Sequence, residues 1–284
     1  MKYISYLFLA TLIIVSSCSE DEPTQIETGT FQLKFDNFAG STEIDLVNPG
    51  STDYMFNTTS GEPFNITTFR YYISKVKLEG PDGEVFEDEM NVSANADDVR
   101  GFYLVNEADA SSKFITLKDI PAGRYNKVTF TIGIGEEGIE EGAAGGILDP
   151  AEGAWFWNWN AGYIGFAIEG GAANSGQERV EGDGWLIEEK SFALHIGGWK
   201  EITPADGETQ KFVNNLKEVT LDFDSNLRVG AGLDPNAHIV VDALKLLDGA
   251  SIDFSATYSV HAPKAGQAFA QFIPEAFILD HTHQ

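Results

Sequence analysis

Five histidines, His195, His238, His261, His281 and His283, and one dense run of tryptophans are the residues here whose chemistry reaches beyond packing. His281 and His283 stand two apart near the end of the chain. In an extended segment both imidazoles face the same way, and such a pair could chelate a borderline or soft cation. The apolar run from Phe272 to Leu279 is able to dock and so hold them in place. His195 lies in Ser191-Phe192-Ala193-Leu194-His195-Ile196-Gly197, where alternation puts it on the face of Ala193 and opposite Leu194 and Ile196. The segment Trp155-Phe156-Trp157-Asn158-Trp159-Asn160-Ala161-Gly162-Tyr163 carries three of the five tryptophans at alternating positions. An extended chain would place the three indoles on one face and Phe156, Asn158 and Asn160 on the other. Such a face could cap a core, stack on a sugar ring, or be a site where a tryptophan itself is altered.

Other donors are scarce. Cys18 is the only cysteine, and it follows Met1-Lys2-Tyr3, an apolar stretch from Ile4 to Val15 and the small residues Ser16-Ser17. The apolar segment is too short for a membrane span and reads as a secretory signal over residues 1–17. Small residues directly before a cysteine look like a bacterial lipobox, which makes Cys18 the lipidated first residue of the mature chain. Ser19-Glu20-Asp21-Glu22 resembles an acidic export tag of outer-membrane lipoproteins. The expectation is an outer-membrane lipoprotein, displayed at the cell surface if that tag acts, with residues 18–29 as lipidated cysteine and acidic tether. A lipidated Cys18 leaves no thiolate, so a metal site must use nitrogen and oxygen, with Met55 and Met90 as the only thioethers.

Removal of residues 1–17 takes away Lys2 and no acid, so 18 basic residues become 17 against 44 acidic ones and the formal charge becomes −27. Nucleic acid and anionic lipid faces are poor partners for such a surface.

The elements that must position these groups read as strands. Phe31–Phe35 alternates cleanly; Phe64–Leu78, Glu84–Phe86, Gly101–Asn106, Phe114–Leu117 and Lys127–Ile134 follow, punctuated by Gly80-Pro81-Asp82-Gly83 and Pro121-Ala122-Gly123. The second half offers Gly162–Glu169, Trp185–Ile196, Glu218–Phe223 and Ile252–Tyr258, and Pro235–Leu247 reads as a strand followed by a helical turn. Irregular stretches fall at 40–62, 135–153 and 170–184. One all-β domain over residues 30–284 is expected, a sandwich or barrel-like fold with long loops. No Gly-x-Ser-x-Gly, phosphate-binding loop or His-Glu-x-x-His motif is present, and no acid, base or nucleophile constellation is legible, so a catalyst is not expected.

The order of several short motifs is more specific than any one of them. Tyr71-Tyr72-Ile73-Ser74, Phe102-Tyr103-Leu104-Val105, Ile120-Pro121-Ala122-Gly123-x-Tyr125 and Phe130-x-Ile132-Gly133-Ile134 come first. Gly146-Ile147-Leu148-Asp149-Pro150, Trp157-Asn158-Trp159-Asn160-Ala161-Gly162-Tyr163, His195-Ile196-Gly197 and Asp280-His281-x-His283 follow. Together, from Phe31 to His283, they resemble the MbnP-like family of copper-binding proteins associated with methanobactin operons. The resemblance implies a secreted or lipid-anchored β-rich protein that binds copper. It also implies that a tryptophan of the Trp-x-Trp segment, here Trp157 or Trp159, is oxidised to kynurenine by a MauG-like diheme partner. An indole is a very poor ligand, whereas kynurenine offers an aryl amine and a ketone. The imidazole donors carried over are His195, His281 and His283. Where better-known members have upstream histidines, this chain has Asp36-Asn37 and Gly138-Ile139-Glu140. The resulting expectation is a copper-binding envelope lipoprotein. The alternatives are a surface lipoprotein that binds glycan or another ligand through an aromatic platform, and a structural member of the same fold.

Overall fold

The computed structural model describes residues 27–140 and 144–284. The expected signal, Cys18 and most of the expected acidic tether lie outside the described residues. Thr28 and Gly29, assigned to the tether from sequence, already belong to the first strand.

In chain order the first half contains β1 (Thr28–Ala39), the short β2 (Thr42–Glu43), β3 (Phe56–Asn57) and β4 (Pro63–Phe64), then β5 (Thr68–Glu79), β6 (Val85–Glu87), β7 (Phe102–Asn106), β8 (Phe114–Pro121) and β9 (Gly123–Ile132). The second half contains β10 (Phe156–Asn158), β11 (Gly162–Gly171), β12 (Val180–Gly182), β13 (Trp185–Ile187), β14 (Ser191–Gly197), β15 (Lys217–Val229) and β16 (Asn236–Asp242). The helix α1 (Ala243–Gly249), β17 (Ser259–Val260), the helices α2 (Pro263–Ala270) and α3 (Ile273–Ala276), and β18 (Phe277–His283) complete it.

Two sheets make the sandwich. One runs β18-β16-β1-β2, with β8 also on β1; the other runs β15-β9-β5-β11-β14-β17, with β6 and β7 on β5 and β10 on β11. Neither closes into a barrel. Alternation drives their packing: Phe31, Leu33 and Phe35 of β1 are fully buried, while Lys34 and Asp36 between them face outward. Across the interface Phe35 meets Tyr71 of β5 at 6.1 Å and Phe130 of β9 at 6.0 Å, both edge to face. Phe277 of β18 meets the same two rings at 5.4 and 5.6 Å. Each buried aromatic side chain removes enough apolar surface to contribute about 1.5–3 kcal/mol, which holds the two sheets together.

Three expectations are revised. The single strand read over Trp185–Ile196 is two, β13 in a hairpin with β12 and then β14, because Lys190 adopts φ 60° and turns the chain between them. Ile252–Tyr258 is not a strand, although Ile252 and Phe254 are buried; the Asp253 carboxylate accepts bonds from the Ser255 amide and hydroxyl and fixes a turn instead. The helix α2, begun by Pro263 in its first turn, was not foreseen. By contrast, Pro235–Leu247 is the expected strand and helix, with Asp242 Oδ1 capping α1 through the Leu244 amide at 2.9 Å.

Candidate metal centre

β16 lies between β1 and β18, so its outward side chains sit beside those of both neighbours. Ala237, Ile239 and Val241 are buried, which turns His238 outward. On β18, Phe277 is buried and Leu279 packs against the core, so strict alternation would send His281 and His283 inward as well. The pairing prevents this. Ile239 faces Leu279 but His238 faces His281, leaving Asp280 as an extra residue. This bulge reverses the parity of the strand end and brings His281 and His283 to the outer face beside His238.

The result is a triad whose candidate donor atoms all lie within 4.8 Å of one another, the one such group of three among the described residues. His281 Nε2 and His283 Nε2 are 3.0 Å apart, and their ring centres 4.7 Å. Two imidazoles sharing an ion through bonds of about 2.0–2.1 Å, with nitrogens at that spacing, would stand with ring centres about 4.7 Å apart and subtend about 95° at the ion. A linear N–H···N hydrogen bond of that length would spread the centres to about 5.3 Å. The observed spacing matches the shared-ion value and is short for a linear hydrogen bond. His238 stacks on His281, with ring centres 4.2 Å apart and 27° between the planes, so its ring must turn to share the ion.

The surrounding carboxylates orient the rings. Asp280 Oδ2 lies 2.7 Å from His281 Nδ1; with the carboxylate accepting, Nδ1 carries the proton and Nε2 keeps its lone pair. Asp36 Oδ2 lies 3.5 Å from His238 Nδ1, and its Oδ1 pairs with Lys34 at 3.1 Å. Burial, then the charge of Lys34, holds the His238 imidazole below its ordinary pKa, which keeps it neutral and able to ligate.

His195 is elsewhere. It stands on β14 in the other sheet, on the face of Ala193 as alternation required, and its Nε2 lies 2.7 Å from Glu169 Oε1 of β11. β17 runs parallel to β14, with Val260 opposite Leu194, and the next residue, His261, places Nδ1 3.0 Å from His195 Nδ1. Burial, then His195, pushes the His261 pKa down. Burial alone would raise the Glu169 carboxyl; the hydrogen bond and charge of His195 outweigh it, so its pKa is lowered. The structure thus brings His281 and His283 together and gives His195 different company. Reading the chain in order missed His238 and His261, because only the non-local pairing of strands supplies their partners.

The tryptophans do not form one face. β10 spans only three residues, and Asn158 Oδ1 accepts from the Asn160 and Ala161 amides at 3.0 Å, so the chain turns before alternation reaches Trp159. Trp159 is 43% exposed and packs on Phe156, which alternation had put on the opposite side. Trp157 packs over Gly197, where a Cβ would meet its ring at 3.0 Å. Trp155 is the indole against an imidazole, 5.0 Å from His195, with the Arg70 guanidinium 4.5 Å from its ring centre. Asn37 of β1 is buried; it accepts from Tyr71 at 3.0 Å and donates to Glu107 at 2.8 Å.

Comparison with known proteins bears on this geometry. The sequence matches the family model MbnP over residues 28–262. Among solved structures, MbnP from Methylosinus trichosporium is similar with a TM-score of 0.50 at 17% sequence identity, covering 81% of this chain and 81% of that one. That likeness is one of fold. No curated protein matches the sequence. His281 and His283 lie beyond the residues matched by the family model.

Proposed function

The chain belongs to the MbnP family, and on that premise we propose that it is a copper-binding lipoprotein of the cell envelope, with the metal held by His238, His281 and His283. The observation that carries the reading is the convergence of the His281 and His283 nitrogens at 3.0 Å with His238 stacked beside them. An angle near 95° suits the tetragonal geometry of Cu2+ better than a tetrahedral zinc site, and imidazole is a donor copper accepts readily. The triad is partly exposed, so an ion reaches it without opening the fold. In this reading the protein captures metal and does not catalyse. Titration with Cu2+ tests it: a His281→Ala/His283→Ala variant loses one bound equivalent, and an unchanged stoichiometry would refute the triad. Lipid attachment through Cys18 is tested by Cys18→Ser, which should move the protein from the membrane to the soluble fraction. Among the described residues no helix is long and apolar enough to cross a membrane.

A tryptophan-derived ligand made by a MauG-like diheme enzyme is a second reading, favoured at one position. It is Trp155, and not Trp157 or Trp159, whose ring lies against an imidazole. Peptide mapping of protein made beside that partner should find kynurenine at Trp155. Intact tryptophan at all three positions would remove this reading and leave the triad standing.

A further inference from the structure

The second histidine cluster has the same internal geometry as the triad's chelating pair, on a different sheet and from different elements. His195 Nδ1 and His261 Nδ1 are 3.0 Å apart, and the ring centres are 4.5 Å apart at an interplanar angle of 88°. A linear hydrogen bond between these atoms would hold the centres at about 5.3 Å, whereas two imidazoles sharing an ion would hold them near 4.7 Å. The observed spacing is nearer the shared-ion value than that of a linear hydrogen bond.

The surroundings are those of a prepared ligand pair. With Glu169 Oε1 accepting, His195 Nε2 carries the proton and Nδ1 keeps its lone pair. Thr68 donates its hydroxyl to Glu169 Oε2 at 2.9 Å and holds the carboxylate in that pose. The backbone support is a strand pairing, since Ala193 and Leu194 of β14 pair in parallel with Ser259 and Val260 directly before His261. Glu169 and His261 are among the residues that line a cleft of about 400 Å³, with Tyr258 and Ser259. An ion on two protein nitrogens would have its remaining positions open to that cleft.

We propose that His195 and His261 form a second metal site, separate from the triad, in which the two Nδ1 atoms hold a Cu2+ ion and the cleft admits water or an exogenous ligand to its open positions. Glu169 acts there as a positioning residue. The site stands whether or not the triad binds.

The test is stoichiometry by calorimetry and electron paramagnetic resonance on the full chain, with circular dichroism as a check on folding. The wild-type protein should bind two equivalents of Cu2+ with two distinguishable signals. His281→Ala/His283→Ala should keep one, with superhyperfine coupling to two nitrogens. Adding His261→Ala to that background should abolish it, and His195→Ala should do the same by an independent route. A triad variant that binds no Cu2+, or a His261→Ala variant that keeps the second equivalent, would overturn the proposal. If His261→Ala removes an equivalent while His281→Ala/His283→Ala removes none, the triad reading fails and this one survives.

Discussion

The two imidazole clusters share a nitrogen spacing of 3.0 Å and differ in how the fold supports it. At the triad the donors stand at the end of the last strand, turned outward by one extra residue, and the orienting carboxylate is itself exposed: His281 and Asp280 side chains are 45% and 57% accessible. At the pair the corresponding figures are 12% for His195 and 29% for Glu169, and a threonine holds the carboxylate in turn. The same nitrogen spacing therefore arises once at an exposed strand end and once between a braced histidine on β14 and the exposed His261. The difference predicts an exchange-ready site and a retentive one.

The largest expected effect separates them outright. Because the clusters lie on different sheets and draw on different partners, His281→Ala/His283→Ala should remove the triad's copper and leave affinity at the pair within about 2-fold of wild type. Parallel loss at both would mean one shared site, and the contrast would collapse.

The next effect lies in the orienting carboxylate. Glu169→Gln keeps the shape of the side chain but weakens its hold on His195, and copper affinity at the pair should fall about 10–100-fold, the usual consequence of losing a ligand's hydrogen-bond partner. Calorimetry in the His281→Ala/His283→Ala background reads this directly. An unchanged affinity would show that the brace does not govern retention.

How much of this was legible in the chain follows the range of the interactions. The sandwich could be read from β1, β5 and β9 because burial alternates with period 2 and the turn residues between them have local causes. His281 and His283 could be read as a pair because two residues of one strand share a face by geometry alone. His238 and His261 could not, since their partners come from β18 and β14, and nothing local encodes which strands become neighbours. The bulge at Asp280 was equally hidden. Strict alternation from Phe277 and Leu279 points the two histidines at the core, and only the register with β16 reverses that. Trp159 failed for the opposite reason: a local Asn158 turn overrode a period that the sequence displayed clearly.

Stability without metal gives a smaller contrast. His195→Ala leaves Glu169 partly buried with Thr68 as its remaining side-chain partner, and should cost about 1–3 kcal/mol in urea unfolding of the metal-free protein. His281→Ala removes an exposed ring whose partners are also exposed, and should cost no more than about 0.5 kcal/mol. Equal costs would show that the pair is no better braced than the triad.

The smallest effect is at Asp280. Asp280→Asn keeps the extra residue and therefore the bulge, so His281 and His283 stay on the outer face. What changes is the charge at His281 Nδ1, at a hydrogen bond of 2.7 Å that solvent already screens. Copper affinity at the triad should fall by only about 3-fold, well short of the loss from Glu169→Gln at the pair. A fall as large as that one would mean that the exposed carboxylate orients its imidazole as firmly as the braced one does. Burial would then not be what distinguishes the two sites.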